Sequence, residues 1–303
     1  MSSLAVNIAG VAMKNPLIAA SGTYGFGREY EALYPLSVWG GISLKGMTLA
    51  KRDGNPPPRV AETPMGMLNS VGLQNSGVEH FIEHELPYLK TQDTALIANV
   101  AGSTLDDYKA ICERLDGLVD MIELNISCPN VKAGGAAFGT TCESAAGVVR
   151  VVRPVLKKTP LMVKLTPNVT DITAIAQAVE AEGADAISLI NTLLGMRIDI
   201  KSRRPILKNN VGGLSGPAVF PIALRMVWQV AGSVKIPVVG LGGISTWQDA
   251  VEMMLAGASA VQIGTALFAD AYAPIKICEG INKYLDDNHI TDINSIVGQV
   301  RPW

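Results

Sequence analysis

The chain has 303 residues, 48% of them hydrophobic and 17% charged, with a formal net charge of −2. It can therefore bury a large core, and the absence of any block of like charge argues against a nucleic-acid surface. The four cysteines, Cys112, Cys128, Cys142 and Cys278, form no Cys-x-x-Cys pair, which excludes a metal or iron–sulfur site built from them alone and suits a reducing compartment.

The start, Met1-Ser2-Ser3-Leu4-Ala5-Val6-Asn7, lacks a basic region followed by an apolar core, so no signal peptide is expected. Residues 6–13 read as a short hairpin closing the bottom of whatever follows. Short apolar runs then recur at residues 17–20, 41–44, 95–100, 121–126, 161–165, 186–190, 238–241 and 260–263, and we read these as eight strands. They are continuous apolar runs, not alternating ones, which indicates a parallel sheet buried on both faces. Helix-spaced apolar sets lie between several of them: Tyr108, Ile111, Cys112 and Leu115; Ile172, Ile175, Ala176 and Val179; and Val251, Met254 and Leu255 after a cap at Ser245-Thr246. Eight such units joined by right-handed crossovers close into a single (β/α)8 TIM barrel spanning residues 1–303. An open doubly wound sheet is disfavoured because no Gly-x-Gly-x-x-Gly follows the first strand. The longest uncharged run, residues 253–269, is interrupted by Gly, Ser, Gln and Thr and does not read as a membrane helix. A soluble, cytoplasmic enzyme is expected.

Three connections, residues 51–77, 129–141 and 192–217, are too long and irregular for simple turns, and all follow strands on the barrel's C-terminal face. Long segments of this kind are usually lids or ligand loops. The strands end in Ser21, Lys45, Asn99, Asn125, Lys164, Asn191, Gly242-Gly243 and Gly264-Thr265. Turn residues alone would explain Asn and Gly, but a lysine ending an apolar strand needs an anionic or strongly accepting partner. The glycines after the seventh and eighth strands, each before a helix, match the phosphate site of this architecture, and Gly216 before another helix adds a further donor. A phosphate-bearing cofactor such as FMN fits. The fourth strand delivers Asn125-Ile126-Ser127-Cys128-Pro129-Asn130 into a Gly-rich loop, so Cys128 is placed where chemistry is done, whereas Cys112, Cys142 and Cys278 read as small, buried apolar residues. His80 and His84 have i, i+4 spacing but no third ligand, so they read as a solvated helix face and no metal is expected.

These motifs, in order along nearly the whole chain, resemble the dihydroorotate dehydrogenase family, class 1, most closely the class 1B catalytic subunit. The resemblance rests on Ala20-Ser21-Gly22-Thr23-Tyr24-Gly25, Lys45-Gly46-Met47-Thr48, Gly54-Asn55-Pro56-Pro57-Pro58-Arg59 and Met67-Leu68-Asn69-Ser70-Val71-Gly72-Leu73-Gln74-Asn75. It continues through Asn125 to Asn130, Lys164-Leu165-Thr166-Pro167-Asn168 and Gly213-Leu214-Ser215-Gly216. It implies FMN-dependent oxidation of (S)-dihydroorotate to orotate in pyrimidine biosynthesis, with Cys128 as the base and hydride passing to the flavin; Ser127 and Lys132 are candidate helpers of the thiol. It further implies that Lys45, Asn69, Ser70, Val71, Gly72, Leu73, Asn125, Asn191 and Thr192 hold the substrate. For the flavin it implies Ser21, Lys45, Gly46, Asn99, Asn125, Ile190 and Lys164, with Gly216, Gly242, Gly243, Gly264 and Thr265 around the phosphate.

Cys at position 128 and the lack of an N-terminal membrane-associating extension disfavour the quinone-linked branch. The class 1B resemblance implies a homodimeric core in a heterotetramer with an electron-transfer subunit that carries FAD and a [2Fe–2S] cluster and passes electrons to NAD. The alternatives are a fumarate-dependent class 1A homodimer and a pyrimidine reductase akin to dihydropyrimidine dehydrogenase. A non-catalytic flavin- or phosphate-binding barrel and a metal-dependent hydrolase rank below these.

Overall fold

The computed structural model describes residues 2–126 and 138–303. Eight parallel strands close into a barrel: β1 (Leu17–Ala19), β2 (Gly41–Ser43), β3 (Ala95–Val100), β4 (Met121–Asn125), β5 (Leu161–Lys164), β6 (Ala186–Leu189), β7 (Val238–Leu241) and β8 (Ala260–Ile263). Each pairs with the next in sequence, and β8 pairs back onto β1 through Gln262 opposite Ile18. Every residue of every barrel strand is buried, which is why these strands read as unbroken apolar runs. Five of the expected strands run one residue further than the ladder, and the other three match it.

The crossover helices begin where the sequence supplies a cap. Thr104 and Thr246 each form a reciprocal box with an aspartate three residues on, and Thr141 and Asp171 accept from amides of the first turn. Each helix lays an apolar stripe on the sheet; Tyr108, Ile111, Cys112 and Leu115 form the stripe of Leu105–Leu115. Burial pushes the Cys112 thiol pKa up, as expected of an inert core cysteine. Cys142 departs from its expected burial: it is exposed at the first position of Cys142–Val152, just after the Thr141 cap. Cys278 is half-buried.

The N-terminal hairpin, Val6–Ile8 with Val11–Met13, turns through Ala9 and Gly10, both with positive φ. Met13 and Ile97 both approach Gly41 at the start of β2, so the hairpin closes the N-terminal end of the barrel.

The long connections at the other end are more ordered than a loop reading implies. Val60–Thr63, Gly66–Asn69, Leu193–Gly195 and Gly212–Ser215 form a four-stranded antiparallel sheet, with Gly213 opposite Asn69 and Leu214 opposite Leu68. Two expected ligand loops are thus one braced sheet over the barrel mouth. Among the described residues no helix is long and apolar enough to cross a membrane.

Candidate active site

A cavity of about 440 Å³ opens between this sheet and the C-terminal ends of the strands. Its floor is set by the inward faces of the barrel strands, where side chains alternate. On β4 the inward residues are Met121, Glu123 and Asn125; Asn99 lies opposite Glu123 and Lys164 opposite Asn125. The cavity is lined by Asn99, Asn125, Lys164 and Gln262 below, and by Ser21, Thr23, Lys45 and Gly46 from the ends of β1 and β2.

Glu123 lies beneath them, wholly buried. Its Oε2 accepts from Ser43 Oγ and Asn99 Nδ2, and its Oε1 from Ser188 Oγ and Gln262 Nε2, each at 2.7 Å. Burial by itself would raise its pKa, but the nearby Lys164 charge and the donated hydrogen bonds hold it below the usual carboxylate value. Asn99 and Gln262 spend their amide nitrogens on this carboxylate, and their oxygens, Asn99 Oδ1 and Gln262 Oε1, are buried with no partner among the described residues. Lys164 is only 4% exposed, and its ammonium makes no hydrogen bond to another described residue. Unpaired polar atoms at the floor of a cavity are costly unless a ligand completes them.

The walls are held by loops that brace one another. Asn75 accepts from the amides of Thr48 and Gly77 and donates to the Leu73 carbonyl at 2.7 Å, pinning the 69–75 segment to the segment that follows Lys45. Asn55 supports the same segment, donating to the Ser70 carbonyl through its side chain and to the Val71 carbonyl through its backbone. Opposite, Asn168 donates to the Thr192 carbonyl and accepts from the Leu194 amide. Asn191 Nδ2 reaches Asn125 Oδ1 at 3.3 Å, and the Asn125 carbonyl is fixed by Tyr108 Oη at 2.8 Å.

The rim after β7 and β8 is glycine. Gly216, Gly242 and Gly243 have φ of 103°, 125° and 79°. A Cβ on Gly243 would lie 2.7 Å from the Gly216 carbonyl and 2.8 Å from the Phe220 amide. The amides of Gly243, Ile244 and Thr265 donate to no group among the described residues, leaving N–H donors at the mouth, the arrangement that suits a phosphate.

Of the residues singled out in sequence, Ser21, Lys45, Gly46, Asn69, Val71, Gly72, Leu73, Asn99, Asn125, Lys164, Ile190, Asn191, Thr192, Gly242, Gly243, Gly264 and Thr265 line this one cavity. Ser70 lies just behind it, fully buried, and Gly216 supports Gly243 from outside the lining. Cys128, with Ser127 and Lys132, lies outside the described residues. Gln262, Thr23 and the half-exposed Phe268 also line the cavity and were missed. Gln262 and Glu123 carried a signal, since each places a strongly polar side chain inside an otherwise apolar buried strand. The His80 and His84 rings sit 4.5 Å apart on an exposed helix, and no metal-binding group of residues occurs among the described ones.

The family model for dihydroorotate dehydrogenase matches residues 3–285. The chain belongs to the dihydroorotate dehydrogenase family. Among its relatives, the dihydroorotate dehydrogenase B (NAD(+)), catalytic subunit, of Phocaeicola vulgatus is 57% identical over 300 residues, covering 98% of this chain and 99% of that one. The protein of the same name from Thermoanaerobacter sp. is 53% identical over 300 residues, covering 99% of both. A crystal structure of DHODH from Eimeria tenella in complex with ferulenol superposes with a TM-score of 0.83 at 21% identity, covering 98% of this chain and 88% of that one. It shares the fold.

Proposed function

We propose that this chain is the FMN-carrying catalytic subunit of an NAD-linked dihydroorotate dehydrogenase, folded as one domain and oxidising (S)-dihydroorotate to orotate in pyrimidine biosynthesis. The observation that carries this reading is the cavity floor: a buried lysine and two unpaired amide oxygens beneath a glycine rim with free N–H donors. A flat, multiply hydrogen-bonding ring with a phosphate tail satisfies both ends at once.

FMN fits the residues present. Gly242, Gly243, Gly264 and Thr265, backed by Gly216, would hold its phosphate, and Ser21, Lys45, Gly46, Asn99, Asn125, Ile190 and Lys164 its ring. When bound, FMN supplies a two-electron acceptor for hydride. Lys164 places a positive charge where negative charge accumulates as the electrons arrive, in a site where burial strengthens it. Asn69, Val71, Gly72 and Leu73 form the substrate's upper wall with Ser70 behind them, and Lys45, Asn125, Asn191 and Thr192 provide further donors and acceptors for its ring amides and carboxylate. The Asn75 and Asn168 braces keep these groups in place before substrate arrives, so little ordering remains for binding. Cys128 Sγ takes the proton from one ring carbon while the hydrogen on the adjacent carbon leaves with its electron pair. The sum is substrate minus two hydrogens, with the proton on sulfur.

Loading the protein with FMN, excluding oxygen and adding dihydroorotate tests the reading. The flavin's visible absorbance should bleach with one equivalent and orotate should appear; a flavin that stays oxidised contradicts the reading and favours a pyrimidine reductase of other specificity.

The electron route beyond this chain is proposed from the relatives named as NAD(+)-type catalytic subunits. A homodimeric core would join an electron-transfer subunit carrying FAD and [2Fe–2S] in a heterotetramer, in the cytoplasm. Reduced protein alone should be reoxidised by neither NAD nor fumarate. Reoxidation by fumarate would place it with the fumarate-using homodimers instead.

A further inference from the structure

The layer beneath the cavity holds one ionisable group for which the proposed reaction has no use. Glu123 stands in the centre of the barrel and receives four hydrogen bonds from four different strands, from Ser43, Asn99, Ser188 and Gln262. Such a buried carboxylate stabilises a fold no better than a well-packed apolar group would. Its geometry does something an apolar group could not.

An ionised carboxylate accepts hydrogen bonds and donates none. Asn99 and Gln262 must therefore both turn their NH2 ends toward Glu123. The two ends of a side-chain amide are nearly equal in size, so sterics alone would allow either orientation. With the nitrogens committed below, the oxygens are left above, and both are buried amide oxygens with no partner among the described residues. Both residues line the cavity, beside Lys164, whose charge acts on Glu123.

We propose that Glu123 is a positioning residue that locks Asn99 and Gln262 in one amide orientation, committing the cavity floor to two acceptor oxygens for N–H and O–H donors of the bound flavin, and whose negative charge offsets part of that of Lys164. The inference rests on the FMN reading above and assigns two residues, Glu123 and Gln262, that it does not use. Glu123→Gln keeps the shape but puts at the centre an amide that both donates and accepts, so either neighbour can reverse. It also removes an anion that opposes electron arrival. FMN affinity should fall on the order of tenfold, the worth of about one good hydrogen bond, and the flavin midpoint potential should become more positive. A purely structural role would lower thermal stability and leave the potential of the bound flavin where it was.

The test is FMN titration into flavin-free protein, with the midpoint potential measured against a reference dye, for wild type, Glu123→Gln, Gln262→Met and the double variant. Because Glu123 acts partly through Gln262, the double variant should lose less affinity than the product of the single losses. Wild-type affinity and potential in Glu123→Gln, or losses that multiply independently, would overturn the proposal. Should Glu123→Gln fail to fold, Gln262→Met carries the test: an unweakened FMN affinity overturns it. A wild-type protein that takes up no FMN overturns the cofactor reading, and this inference with it; wild-type uptake with indifferent variants overturns this inference alone.

Discussion

The lower and upper halves of the barrel share eight strands and obey different rules. Toward the N-terminal end the inward side chains are apolar: Met121, Ile97 and Ala260 pack there, with Met13 of the hairpin closing the end. One step up the same strands the inward positions are Ser43, Asn99, Glu123, Ser188 and Gln262, all buried, and above them Asn125 and Lys164. The lower half lowers the free energy of folding by removing apolar surface from water. The upper half spends part of that stabilisation to hold polar groups in fixed directions, some of them with no partner among the described residues. A fold keeps such groups where a ligand completes them.

The comparison breaks if changes in the two halves have the same consequence. The largest expected effect is above: Cys128→Ala should slow dihydroorotate-driven flavin bleaching by about 10²–10⁴, the usual contribution of a positioned base. Stopped-flow absorbance under anaerobic conditions reads this directly, and a loss below about tenfold would remove Cys128 from the role. Next, Ile97→Ala in the lower half should cost roughly 2–5 kcal/mol in urea unfolding through the cavity it leaves. Its FMN affinity should stay that of wild type, and a parallel fall would show that the halves are not separable.

A smaller effect should sharpen the comparison at the rim. Gly243→Ala must adopt φ near 79° with its Cβ against the Gly216 carbonyl, a strain of about 1–3 kcal/mol. The loop can relieve it only by moving the glycine rim, so FMN retention on gel filtration should fall clearly more than for Ile97→Ala.

The smallest effect is in pH. Glu123 has a folded pKa below its ordinary 4.5, so its contribution to stability is fully present above that ordinary value and is lost as pH falls through the lower, folded one. Stability differences between wild type and Glu123→Gln should therefore be flat from neutral pH down to the ordinary carboxylate range and shrink only below it. A difference that already narrows on approaching that range from above would mean that the carboxyl is not held ionised.

The contrast also explains what was legible in the sequence. The eight strands were readable because burial on both faces leaves a continuous apolar run, a purely local signal. The ring of polar strand ends was readable because Lys45 and Lys164 have no reason to follow apolar runs unless something anionic or accepting awaits them. The sheet over the mouth was not, because its pairing joins Asn69 to Gly213 and Leu68 to Leu214, residues far apart in sequence, and its glycines have little strand preference. Glu123 and Gln262 were visible as polar interruptions, but their convergence on one point is a property of barrel closure that no window of sequence contains. Cys142 misled because Ala145 and Ala146, three and four residues on, belong to the buried helix stripe, whereas Cys142 itself, at the first position after the Thr141 cap, is exposed.

The measurement that tests this account most directly is a crystal structure of the protein with FMN and orotate bound. The account predicts the flavin ring on the barrel floor beside Lys164, with Asn99 Oδ1 and Gln262 Oε1 accepting from it, its phosphate on the amides around Gly243 and Thr265, and orotate between the 69–73 segment and Asn125. A flavin bound elsewhere, or one that leaves both amide oxygens unpartnered, would contradict it.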